Sequence, residues 1–260
     1  MKLAHIITSI AMAASASGAS AFTVGHYNSS KESYGLAGSY IGLAKQSLID
    51  KGYTLTSTGS MDATFLAGVD AVYIGLMNST PSATEISALQ QFVDVQGGFL
   101  FIQTDWTLAS WTAPANAILS NWGIAHGGTY SNDTHVTVGS SEWVSNPNVV
   151  NGFIGSAHSI VTSAPADFEV LGRDSSGHPV LGVFDAGAGR SSDVLIATDI
   201  NFWSDGIGWT NAGNRNLWDN IWQAAATQTS GANNVPEPSS LALLGVGVIG
   251  ASLARRRVTA

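Results

Sequence analysis

No cysteine occurs anywhere in the 260 residues. Disulfide staples, thiolate metal sites and cysteine nucleophiles are therefore excluded together. Charge is scarce as well: Asp, Glu, Lys and Arg make up 11% of the chain, with 10 basic residues against 18 acidic ones. Four of those ten, Lys2, Arg255, Arg256 and Arg257, lie in the end segments, so the stretch between is more acidic than the formal net charge of −8 suggests. Such a surface repels phosphate backbones and anionic lipid, which argues against nucleic acid as a partner. His5, His26, His126, His135, His158 and His178 show no metal-binding spacing, and neither a metal nor a cofactor is expected. No Gly-x-Ser-x-Gly elbow is present. Gly187-Ala188-Gly189 precedes a strand-like run instead of following one, so it reads as a turn and not as a phosphate cradle.

Long apolar runs are confined to the two ends. At the amino end, Lys2 precedes an apolar stretch over residues 3–14, and Ala19-Ser20-Ala21 satisfies the small-x-small cleavage rule. Residues 1–21 read as a secretory signal, with the mature chain starting at Phe22. At the carboxyl end, residues 235–260 hold Pro236-Glu237-Pro238, an apolar run over 241–254, and Arg255-Arg256-Arg257. A helix over 239–254 would span about 24 Å, a little short of a hydrocarbon core of about 30 Å. The arginines would stay cytoplasmic by the positive-inside rule, leaving the globular part outside. These three parts, in this order, resemble the PEP-CTERM sorting signal of Gram-negative bacteria. The resemblance implies export and recognition of Pro236, Glu237 and Pro238 by the membrane protease exosortase. It also implies transient anchoring in the inner membrane through the hydrophobic helix, then release to the cell surface or beyond. A tail anchor that is never cut is the alternative reading of the same residues.

Between the addresses lies one domain, residues 22–227, followed by a polar linker over 228–234. Helical spacing is expected over 36–51, 63–67, 82–96, 114–121 and 214–227, and strands over 23–27, 53–57, 70–76, 99–102, 168–172, 179–184 and 194–198. Ser82 with Glu85 three residues on is a capping-box pattern. Near-continuous hydrophobic strands alternating with helices predict an α/β fold, a parallel sheet flanked by helices. Residues 106–150 break that rhythm and read as an insertion over the carboxyl ends of the strands.

Two stretches, Gly97-Gly98-Phe99-Leu100-Phe101-Ile102-Gln103-Thr104 and residues 187–202 leading to a final helix, carry a second resemblance. They resemble the class I glutamine amidotransferase-like (flavodoxin-like) fold, in its ThuA-like branch. That family places a cysteine on a strand-to-helix elbow, and the ThuA-like branch often a histidine where this chain has Gln103. Neither is present, so amidotransferase activity is not supported.

In open α/β sheets, ligands gather beyond the carboxyl ends of the strands. His26, Asn28, Asp105, Asp199, Asn201 and Asp205 are expected there. Asp105, Asp199, Asp205 and His26 are candidates for acid–base work on matrix glycans, though Asp105 and Asp199 are equally suited to capping turns. Eight tryptophans are many for this length. Trp106, Trp111, Trp203 and Trp209, with Asn28 and Asn201, are candidate ligand contacts, because indole stacks on the apolar face of a sugar ring while amides hold its hydroxyls. The two readings are a non-catalytic module binding polysaccharide or another surface component, and a carboxylate- or metal-assisted glycan hydrolase.

Overall fold

The computed structural model describes residues 21–232, apart from 107, 188 and 189. The strands are β1 (Thr23–Tyr27), β2 (Glu32–Ser33), β3 (Thr54–Thr58), β4 (Ala71–Ile74), β5 (Leu76–Met77), β6 (Phe99–Gln103), β7 (Ala125–Ser131), β8 (Thr134–Thr137), β9 (Gly152–Ile154), β10 (Ala157–Ser163), β11 (Phe168–Asp174), β12 (Pro179–Phe184) and β13 (Val194–Ala197). The helices are α1 (Gly42–Asp50), α2 (Ala63–Leu66), α3 (Ala83–Asp94), α4 (Ala109–Leu119), α5 (Glu142–Ser145) and α6 (Ala212–Ala232).

The main sheet runs β3-β1-β4-β6-β13-β12-β11-β8-β9. Its first five strands are parallel. In chain order they fall 2-1-3-4-5, the flavodoxin-like arrangement. The last four are joined antiparallel, so the sheet is mixed where the sequence pattern predicts a parallel one. The central strands are apolar on both faces because helices cover both. Ala71, Tyr73, Phe99 and Phe101 face a core shared with α1 and α6. Val72, Ile74, Leu100 and Ile102 face a second core shared with α3 and α4. The period-2 alternation of side chains thus splits each strand between two cores.

Local chemistry sets several boundaries. The capping box of α3 is complete: Glu85 N–H donates to Ser82 Oγ at 3.2 Å, and Ser82 N–H to Glu85 Oε2 at 2.9 Å. Gly97, with φ +77°, leads out of the turn after α3, and a Cβ on Gly98 would lie 2.0 Å from the Phe92 ring. Ser82→Ala is expected to cost about 1 kcal/mol, a fall of roughly 2–4 °C in Tm. Calorimetry of the variant checks this, and no change would show that the box contributes nothing.

Three expectations are corrected. The helix predicted over 36–51 begins only at Gly42, since Gly35, Gly38 and Ser39 are poor helix formers. The orphan N–H of Leu43 is instead met by Asp205 Oδ1 at 2.9 Å. Residues 106–150 are not simply an insertion, because β8 within them pairs with β11 in the main sheet through His135↔Asp174. The linker predicted over 228–234 is helical as far as Ala232, held there by Gln228 donating to Asp193 at 2.8 Å. No helix among the described residues is long and apolar enough to cross a membrane. Of the leader predicted over 1–21, residues 1–20 lie outside the described residues, as does the sorting segment over 235–260.

Candidate functional site

Three segments that follow parallel strands meet beyond the carboxyl edge of the sheet. The first follows β1. Asn28 turns the chain by accepting from Ser30 N–H at 3.1 Å and Ser30 Oγ at 2.6 Å. β2 then pairs with β5, and the buried Glu32 accepts the Gly75 N–H. Burial holds the Glu32 carboxyl well above the usual carboxylate range. Next comes Tyr34 at φ +55°, the one non-glycine residue with positive φ among the described residues. A left-handed conformation costs an L-residue about 1–2 kcal/mol. Its ring nonetheless stands 42% exposed and meets the edge of Tyr40 at 4.8 Å.

The second segment follows β13. Asp199 is fully buried and caps the 3₁₀ turn Ile200–Phe202. It accepts Asn201 N–H at 2.7 Å, Asn201 Nδ2 at 2.8 Å and Ser156 N–H at 2.5 Å. Gly155 permits the last of these contacts, since a Cβ there would lie 2.2 Å from Asp199 Oδ2. Asn201 Oδ1 in turn accepts the Tyr40 hydroxyl at 2.5 Å, which locks the first segment to the second. The third segment follows β6, where Gln103 donates to Asp199 O at 2.8 Å. Two residues on, Asp105 is 7% exposed and accepts the Trp106 N–H at 2.7 Å. Trp111 comes from the first turn of α4.

Together these side chains line an open cavity of about 250 Å³: Tyr34, Tyr40, Asp105, Trp106, Trp111, Ala157, Ile200 and Asn201. Burial, and then the charge of Asp199, push the Asp105 carboxyl up to about 7. Burial pushes Asp199 up to about 6, against the pull of its three N–H donors.

Four sequence candidates, Asp105, Trp106, Trp111 and Asn201, thus share one cavity. The others lie elsewhere. Trp203 has no exposed surface and belongs to the aromatic core, with Trp209 packed against that core. Asp205 caps α1. His26 is buried, with its Nδ1 2.7 Å from Tyr27 O. Asn28 is spent on its own turn. Tyr34 and Tyr40 are additions to the site that the sequence pattern does not single out: Tyr40 reads as the apolar face of a helix that in fact begins after it. Their place after the first parallel strand, where ligands gather, is the signal that points to them.

Among the described residues, no group of three or more His, Asp or Glu is arranged to hold a metal ion. A second cavity of about 300 Å³ lies at the opposite, amino end of the sheet. There Asp70 Oδ2 accepts Thr23 N–H at 2.7 Å. Thr229, near the end of α6, also lines that cavity, so both ends of the domain leave from the side away from the aromatic pocket.

The PEP-CTERM protein-sorting motif matches residues 234–257. Comparison with curated proteins returns no match. Among solved structures, the N-terminal domain of mmIFT52 aligns with 79% of this chain and 97% of its own, at 16% identity and a TM-score of 0.65. A protein from Thermoplasma acidophilum assigned as a component of GMP synthase aligns with 80% of this chain and 96% of its own, at 8% identity and a TM-score of 0.54. A glutamine amidotransferase aligns with 79% of this chain and 98% of its own, at 11% identity and a TM-score of 0.43. Identities this low bear on fold alone. The chain carries a PEP-CTERM protein-sorting motif at residues 234–257, which implies export and processing by exosortase, behind a domain that shares its fold with the N-terminal domain of mmIFT52.

Proposed function

We propose that the domain is a non-catalytic binding module for an extracellular or cell-surface polysaccharide, and that the aromatic cavity is its sugar site. One observation carries this reading: two tyrosines, two tryptophans, Asp105 and Asn201 converge on a single opening. Aromatic faces stack on the C–H face of a pyranose, while a carboxyl and an amide hold its hydroxyls. At about 250 Å³ the cavity takes one ring, since pockets for larger drug-sized ligands run to about 300–1,000 Å³. The hydrophobic tail holds the chain in the inner membrane until exosortase acts. The pocket then faces away from the end of the domain that continues into the sorting motif.

The second reading, a hydrolase using Asp105, Asp199 and Asp205, rests on the raised Asp105 carboxyl, which could act as a general acid near neutral pH. Glycosidases of the usual kind use two carboxylates flanking the bond. Here Asp205 caps α1, and Asp199 is engaged by three N–H donors.

The test is affinity electrophoresis of the purified full-length chain through gels cast with the producing organism's exopolysaccharide. The parent should be retarded, and Trp106→Ala should weaken binding about tenfold, equivalent to about 1.4 kcal/mol. Because Trp106 is 40% exposed, its melting temperature should barely move. Unhindered migration of the parent would remove this reading for that polymer. Loss of fold in the variant would place Trp106 in the core.

A further inference from the structure

We infer that the pocket selects a sugar bearing a positively charged amino group, a de-N-acetylated amino sugar, over neutral, N-acetylated or acidic sugars. The inference rests on the polysaccharide-binding reading and narrows it. Four features of the cavity point the same way.

First, its walls are four aromatic rings, Tyr34, Tyr40, Trp106 and Trp111, delivered by two different segments. Ring faces are electron-rich, and an enclosing set of them is the recurrent way of holding an ammonium group. Second, a carboxyl group, Asp105, shares the cavity with the rings. An ammonium beside it gains a charge-assisted hydrogen bond that a hydroxyl cannot match. Third, the site is short of positive charge. Among the described residues no Lys, Arg or His lines it, and no ion pair reaches Asp105 or Asp199. The charge of Asp199 raises the electrostatic cost of ionising Asp105, and a cation brought by the ligand offsets it. The same arrangement repels a uronate or a sulfated sugar. Fourth, the chain holds Tyr34 in the left-handed region to present its ring there, and backbone strain of this kind is concentrated at ligand clamps.

Proton balance is part of the inference. An ammonium beside Asp105 favours its carboxylate, so binding lowers the Asp105 pKa and releases a proton near neutral pH. The titratable groups facing Asp105 are Asp199 from the segment after β13 and Tyr40 from the segment after β1. The charge of Asp199 disfavours its ionisation in the absence of ligand, whereas the Tyr40 hydroxyl donates to Asn201 Oδ1.

The experiment is isothermal titration of the purified full-length chain at pH 7 with four probes: a β-1,4-linked glucosamine tetramer, its N-acetylated counterpart, cellotetraose and choline. The glucosamine tetramer should bind at least tenfold more tightly than the other two sugars, and with proton release seen as a buffer-dependent heat. Asp105→Asn should erase the preference while residual sugar binding remains. Tyr34→Gly should weaken glucosamine binding with its melting temperature unchanged or raised, since glycine adopts the left-handed region freely. Equal affinity for all three sugars would overturn the charge selection and leave the sugar reading standing. Choline binding as tightly as the glucosamine tetramer would overturn the amino-sugar assignment in favour of a small organic cation. Failure of every sugar to bind would overturn both readings.

Discussion

Trp218→Ala is expected to destabilise the domain by about 3–5 kcal/mol, the range for emptying a buried aromatic site, and to lower Tm by roughly 10 °C. Trp218 has no exposed surface. Its ring packs at 5.1 Å from Trp203, 5.5 Å from Trp222, 5.9 Å from Tyr73 and 6.1 Å from Phe101. It is the point at which α6 grips the centre of the sheet. Its indole N–H also reaches Ser47 Oγ on α1 at 3.1 Å. That hydroxyl keeps a second partner, Ala44 O at 2.7 Å, so the loss is one of packing and not of an orphaned polar group. Equilibrium denaturation of Trp218→Ala beside Trp106→Ala decides the matter, because the two changes are chemically identical. A similar small loss for both would mean that the aromatic cluster is not the keystone of this face.

The same contrast shows what a sequence can reveal here. That Trp218 and Trp222 are core follows from their spacing with Leu217 and Ile221 on an amphipathic helix. That Trp106 is exposed and Trp203 is not does not follow, since both stand just after an apolar strand beside an acidic or polar residue. Burial there is decided by what packs on top, and in the case of Trp203 that is Trp218 from α6. Local signals are legible: the Ser82–Glu85 box is contained in four residues and forms as written. The strand Phe99–Gln103 declares itself by composition. Non-local ones are not. The start of α1 depends on a carboxylate 162 residues away. β8 reads only as a short extended piece until β11 supplies its partner.

The site follows the same rule. Doubly wound topology names the edge at which ligands gather, and on that ground the sequence places Asp105 and Asn201 near it, while Trp106 and Trp111 enter as tryptophans suited to stacking on a sugar ring. Tyr34 and Tyr40 escape the same reasoning, because glycines and serines let the loop after β1 fold back where helical spacing predicts a continuous helix. The hydrogen bond from Tyr40 to Asn201 spans 161 residues. A linear pattern holds no trace of it.

Asp105→Asn should make the domain more stable at pH 8, by about 2–4 kcal/mol, and should change little at pH 4. In the unfolded chain Asp105 ionises near pH 4, whereas in the fold it stays protonated up to about 7. A carboxyl raised in this way contributes its stability fully below pH 4. That contribution drains away as pH rises, at up to about 1.4 kcal/mol per unit, and is gone above 7. Asn cannot ionise, and its side-chain oxygen still accepts the Trp106 N–H, so the variant avoids the loss. Asp199, pushed up to about 6 by burial, adds to the loss in the parent. Because the two carboxyls interact, removing one charge also lets the other ionise more easily. The parent's own profile hides this effect. His126 and His135, both pushed down to about 4 by burial, act in the opposite sense. Their contribution is complete above about 6.5 and is lost as pH falls towards 4. Over the same window the carboxyls and the histidines act in opposite directions, so the parent's curve combines the two. Only the difference between parent and variant isolates Asp105. Urea midpoints for both proteins from pH 4 to pH 8 measure it. A difference that fails to widen across that range would mean that Asp105 is solvated and titrates like an ordinary surface carboxylate. The charge selection inferred for the pocket would then lose one of its four supports.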